Sequence, residues 1–170
     1  MTFTTLTDIV LGLAFLAYIV SRQLRWIPVD TASMWRMPMI LGAVGLLSLA
    51  GHTATITTVD VAILVLSAIL AVGSGLAMGR LATFRPIAAP APKPLRNGTL
   101  PTTESRVGWV GAGLWIGLIA ARIGLDVAGA EMGAGTATSA GVILLVVAIN
   151  RAARALVFSA RLGHHVTRVA

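Results

Sequence analysis

The sequence predicts an all-α fold, a polytopic transmembrane helical bundle of about five spans forming a single membrane domain, 1–170. Three observations carry this. The 170 residues are 56% hydrophobic and only 11% charged, where a soluble domain carries about 25% charged residues. The apolar residues fall in long runs without the alternating polarity of a β-barrel. Lipid demands that a spanning backbone satisfy its own hydrogen bonds, and a helix does so within one segment. Finally, Arg122 is the only basic residue that cannot be placed outside an apolar run.

Segment one, Phe3 to Val20, has Asp8 near its start and no Lys or Arg before it, while Arg22 and Arg25 follow. A signal peptide would show a basic residue before the run and a small-residue cleavage site after it, so a retained helix is expected. Its core, Ile9–Val20, is short, and an interfacial or re-entrant segment is the alternative. The linker Ser21–Arg36 sets Arg22, Arg25 and Arg36 beside Trp26 and Trp35, the signature of a cytoplasmic membrane interface. Segment two, Met37 to Gly51, opens with Pro38 in the first helical turn. Segment three, Asp60 to Gly79, carries Ser67, Ala71, Gly75 and Gly79 at four-residue spacing. Such a row lets another helix approach closely.

The stretch 80–106 is expected to be a proline-rich basic cytoplasmic loop. It holds Arg80, Arg85, Lys93, Arg96 and Arg106, with prolines at 86, 90, 92, 94 and 101 and an Asn97–Gly98 turn signal. This density of proline favours an extended linker. Segment four, Val107 to Val127, bears a second small-residue row, Gly113, Gly117 and Ala121, which is the expected packing partner of the first. An outer loop, 128–138, precedes segment five, Ser139 to about Phe158. The tail, 155–170, reads as a basic amphipathic stripe suited to lying along headgroups.

Placing the N-terminus outside and the C-terminus in the cytoplasm puts every one of the 13 basic residues except Arg122 on the cytoplasmic side, as the positive-inside rule requires. Asp8, Asp60, Asp126 and Glu131 then fall on the outer side. The net charge of +7 is thus a feature of topology. The expected partners are membrane lipids, with anionic headgroups against the cytoplasmic face, and a protein partner or a second copy of the chain. Nucleic acid is not among them.

Chemistry-bearing residues are few. Arg122 lies inside an apolar segment, where an unpaired charge costs several kcal/mol, roughly 3 or more. Asp126, four residues on, shares its helical face and can pair with it. Counting residues puts Arg122 about 8 Å from the outer end of segment four, so the alternatives are a structural ion pair, snorkelling to the headgroups, or a ligand-binding cation. Asp8, Asp60 and Asp126 are the candidate catalytic acids, since burial of paired carboxylates separates their pKa values. All three, however, lie at helix ends, where acids are ordinarily solvated. His52 has no second histidine on its side of the membrane with which to hold haem, and no metal or cofactor is expected. With 0 cysteines, thiolate and disulfide chemistry is excluded.

The sequence resembles the CcdC-like family of small bacterial integral membrane proteins. The resemblance rests on the basic turn SRQLRW…WRMP, the Gly-Arg end of segment three (MGRLATFR), the Asn-Gly turn, and a fourth segment opening RVGW and containing Leu114, Trp115 and Arg122. The family's name implies an association with cytochrome c maturation, and its biochemical role is undefined. The proline-rich middle loop departs from the compact hairpin the family leads one to expect. The functional expectation is a non-enzymatic accessory or assembly factor. The alternatives are a small intramembrane cyclase or hydrolase acting on a lipid or isoprenoid substrate, and a subunit of an oligomeric transporter.

Overall fold

A computed structural model describes residues 14, 17, 18, 20–30, 33–51, 56–87, 102–134 and 139–166. Four helices and three short strands are defined: β1 (Ile27–Pro28), α1 (Arg36–Ala50), α2 (Thr58–Leu81), β2 (Thr83–Pro86), β3 (Thr103–Arg106), α3 (Gly108–Glu131) and α4 (Ala140–Val166). Residues 14, 17, 18 and 20–24 are also helical. Three stretches are long and apolar enough to cross a membrane: Thr58–Leu81, Gly108–Glu131 and Ala140–Leu162. With 15 residues, α1 is about 22 Å long, shorter than the roughly 20 residues a span requires. Asp8, His52, Lys93, Arg96 and Asn97–Gly98 lie outside the described residues.

Two compact units make up the chain, Met1–Val29 with Leu81–Ile116, and Asp30–Arg80 with Gly117–Ala170. The first contains an antiparallel sheet of order β1-β3-β2, and here the expected linker at 80–106 is corrected at its two ends. Instead of an extended stretch from Arg80, α2 continues to Leu81, and 83–86 pairs with 103–106. Backbone bonds beyond the strands, Val29 N–H to Thr103 O at 2.9 Å and Ile87 N–H to Thr102 O at 3.0 Å, extend the ladders. The prolines suit these positions. Pro28 and Pro86 occupy edge strands, where a missing donor is tolerated, and the central β3 has none. Gly108 turns the chain from β3 into α3 with φ of +76°, a conformation costly for any residue with a Cβ.

In the second unit α4 is flanked by α1 and α2. A Cβ on Gly45 would sit 2.9 Å from Gly141 O, and one on Gly141 would sit 3.0 Å from Gly45 O, so α1 and α4 touch backbone to backbone. Gly42 lies by Ala148 and Leu49 by Gly141, making these helices antiparallel. A Cβ on Gly75 would run into Asn150 O, and one on Gly79 would come within 2.7 Å of Val157. This sets α2 parallel to α4. Ala71, Val142 and Val146 form the buried core between them, with Leu49, Leu64 and Ile149 packed around it.

The expected pairing of the two small-residue rows is therefore corrected. Ser67, Ala71, Gly75 and Gly79 are all buried, and the close glycine contacts of this row are with α4. On α3, Gly113 and Gly117 are exposed, Ala121 is half-buried, and no heavy atom lies within 4 Å of a Cβ built on either glycine among the described residues. Two segment ends also move. Helix α3 runs past Val127 to Glu131, and α4 passes Phe158 without a break and reaches Val166.

Candidate functional site

Helix α3 faces α2 within the second unit, antiparallel to it, as Ile63 lies against Gly129 and Ser67 against Arg122. Ser67 and Arg122 each stand nine residues from the helix ends Thr58 and Glu131, so both lie about 13 Å into the segment. Arg122 is thus deeper than counting to Val127 indicates, because the helix is one turn longer. Its side chain turns inward. Nη1 donates to Ser67 Oγ at 2.8 Å, and Nη2 approaches Asp126 Oδ1 to 2.9 Å. The latter contact is an ion pair by distance without the alignment of a hydrogen bond. The Arg122 side chain is 10% exposed and that of Asp126 26%.

Ser67, Leu70, Leu118, Arg122, Leu125 and Val146 line a shallow groove beside the pair. Neither Asp60 nor Asp126 belongs to its walls. Asp60 is fully buried and works as part of a helix cap. Its Oδ2 accepts from Thr57 N–H at 2.9 Å and Thr57 Oγ1 at 2.8 Å, while Asp60 N–H donates to Thr57 Oγ1 at 3.1 Å. This reciprocal arrangement is a capping box with Asp in place of Glu. Glu131 is exposed at the end of α3. The structure therefore brings Arg122, Asp126 and Ser67 together and engages Asp60 in a separate cap. No group of three His, Asp or Glu side chains suited to a metal occurs among the described residues.

A second polar contact went unread in the sequence. Asn150 is 1% exposed and donates through Nδ2 to Ala71 O at 3.2 Å and Ser74 Oγ at 2.8 Å. Lone Asn150 after the apolar run GVILLVVAI reads as the end of a span, yet it lies ten residues into Ala140–Leu162, near the middle of a stretch long and apolar enough to cross a membrane. Ser74 sits one position before Gly75 in the small-residue row, and a polar residue facing Asn in that row was the available signal. Further along α4, Arg161 Nη1 donates to Gly79 O at 3.0 Å and Arg80 O at 2.9 Å, closing the C-terminus of α2 as a cation suits that end of a helix. The sequence placed Arg161 on a separate tail.

Comparison with family models, with curated proteins and with solved structures gives no match to this chain.

Proposed function

We propose that the protein is a non-enzymatic integral membrane protein, an accessory or assembly factor that receives the helix of a partner, or of a second copy, on the outer face of α3. One observation carries this reading. Gly113, Gly117, Ala120 and Gly124 share the exposed face of α3 between Ile116, Ile123 and Val127. No heavy atom among the described residues lies within 4 Å of a Cβ placed on Gly113, Gly117 or Gly124. The glycines of α1, α2 and α4 that cross neighbouring helices are by contrast filled against. In lipid, where apolar attraction between helices is lost, exposed small residues at this spacing favour close helix association.

The helix directions support a bundle with the N-terminus outside. In the second unit Arg36, Arg80 and Arg161 lie toward one end of the helices, and an excess of Arg at one end is the mark of a cytoplasmic side. Five spans remain part of this proposal, with α1 and the first helical segment completing the three longer helices. The likeness to the CcdC-like family accords with a bacterial membrane accessory role. The enzymatic alternative draws no support from Asp60 and Asp126, which are committed to a cap and an ion pair.

The test is a pair of substitutions. Gly75→Leu is expected to lower thermal stability in mild detergent, whereas Gly117→Leu is expected to leave stability intact and abolish the larger species on a native gel. If Gly117→Leu destabilises as Gly75→Leu does, that face is filled from within the chain and the proposal fails.

A further inference from the structure

The first unit carries an aromatic and cationic cluster that assembly through α3 does not use. Register sets Arg85 opposite Glu104 and Thr83 opposite Arg106, so these four side chains share one face of the sheet. The other face has Phe84 paired with Ser105, and Ser105 with Ile27. Ser105 is buried, and Phe84 and Ile27 are half-buried. Trp26 precedes β1 and joins the polar face. The guanidinium carbon of Arg85 lies 4.1 Å from its ring centroid and that of Arg106 5.0 Å.

Two guanidinium groups over one indole repel each other, and the indole's attraction for each is of order 1 kcal/mol at an exposed site. Among the described residues one carboxylate, Glu104, pairs with Arg85. Arg85 reaches Glu104 Oε2 through Nε at 3.0 Å and Nη2 at 2.9 Å. The cluster keeps an excess positive charge. Its depth follows from the chain. Arg106 is two residues before Gly108, the first residue of a stretch able to cross a membrane. Trp109, in the first turn, is 73% exposed, as suits an aromatic ring at the headgroup level. The start of α3 also presents backbone N–H groups and the positive end of its dipole.

We propose that the polar face of this sheet is a headgroup site for an anionic phospholipid, its phosphate held between the guanidinium groups of Arg85 and Arg106 beside the ring of Trp26. Arginine suits this role because its planar fork binds phosphate oxygens in pairs and stacks on an indole. Glu104 orients Arg85 and competes with the phosphate for it. The site adds a lipid partner to the proposed assembly factor and rests on the cytoplasmic placement of the sheet. In detergent, lipid preference is read independently of orientation and of α3 docking, so the two readings fail separately.

The experiment uses the full chain in detergent micelles, titrated with phosphatidylglycerol or phosphatidylcholine, with retained lipids counted by native mass spectrometry. Arg85→Gln/Arg106→Gln is compared with Arg22→Gln/Arg25→Gln, which removes the same charge from the same unit. The expected result is a preference for phosphatidylglycerol that falls about tenfold in the first variant and less than about twofold in the second. Glu104→Gln is expected to tighten retention. Should the Gln pair lose its thermal transition, Arg85→Lys/Arg106→Lys keeps the charge, and losing the preference there supports the paired fork. Equal losses in the two Gln pairs, equal retention of both lipids, an undiminished preference in the Lys pair, or displacement of the lipid by millimolar inorganic phosphate would overturn the proposal.

Discussion

Replacing Asp126 with Ala removes the carboxylate that faces Arg122 Nη2, while the Ser67 hydroxyl stays on Nη1. Breaking a fully buried ion pair by removing one partner costs about 3–5 kcal/mol. Asp126 retains 26% of its side-chain exposure, so the pair is only partly buried, and the expected cost falls to about 1–3 kcal/mol. A surface pair would cost only about 0.2–1 kcal/mol. The assay is a double-mutant cycle of Asp126→Ala, Arg122→Leu and the combined variant, unfolded thermally in mild detergent and again in bilayers. Removing both charges is expected to recover most of the loss, because the cost lies in a buried cation that has lost this countercharge. A coupling below about 0.5 kcal/mol would refute the inward placement of Arg122. An unchanged stability with loss of a biological readout would make Arg122 part of a binding site.

Gly75→Ala is expected to destabilise by about 1–3 kcal/mol, since the new methyl meets the Asn150 carbonyl and overpacking outweighs the gain in helix propensity. Gly113→Ala, whose new methyl meets nothing within 4 Å among the described residues, is the matched control, and its thermal midpoint should hold or rise. Thr57→Val strips the hydroxyl from the cap of α2 and should cost about 1 kcal/mol in the same assay. Asn150→Ala is expected to cost about 1–2 kcal/mol, and the loss should shrink when Ser74→Ala is already present.

The apolar runs made most of the helical architecture legible, because long runs without alternating polarity suit helices rather than half-buried strands, and the starts of α1 and α2 follow from Pro38 and Asp60. The i, i+4 spacing also foretold the Arg122–Asp126 pair, since geometry on a single helix is local. What stayed hidden depends on contacts distant in sequence. Which helix meets the row Ser67–Gly79 is decided by tertiary packing, and small residues alone do not name the partner. Strand pairing of 83–86 with 103–106 was masked by the prolines around it, although these lie on edges or outside the paired residues. Asn150 looked like the end of a span because its partner, Ser74, is 76 residues away. Arg161 looked like part of a headgroup-bound tail because the α2 carbonyls that receive it are likewise remote in sequence.

The central claim, that the exposed face of α3 holds another helix, is tested most directly by photocrosslinking in native membranes from a probe at Ile116 or Ile123. A discrete, near-stoichiometric protein adduct at both positions, lost on introducing Gly117→Leu and retained with Ser74→Ala, is the predicted result. Adducts to lipid alone, to residues 3–20 of the same chain, or to a protein whose yield ignores Gly117→Leu would contradict it.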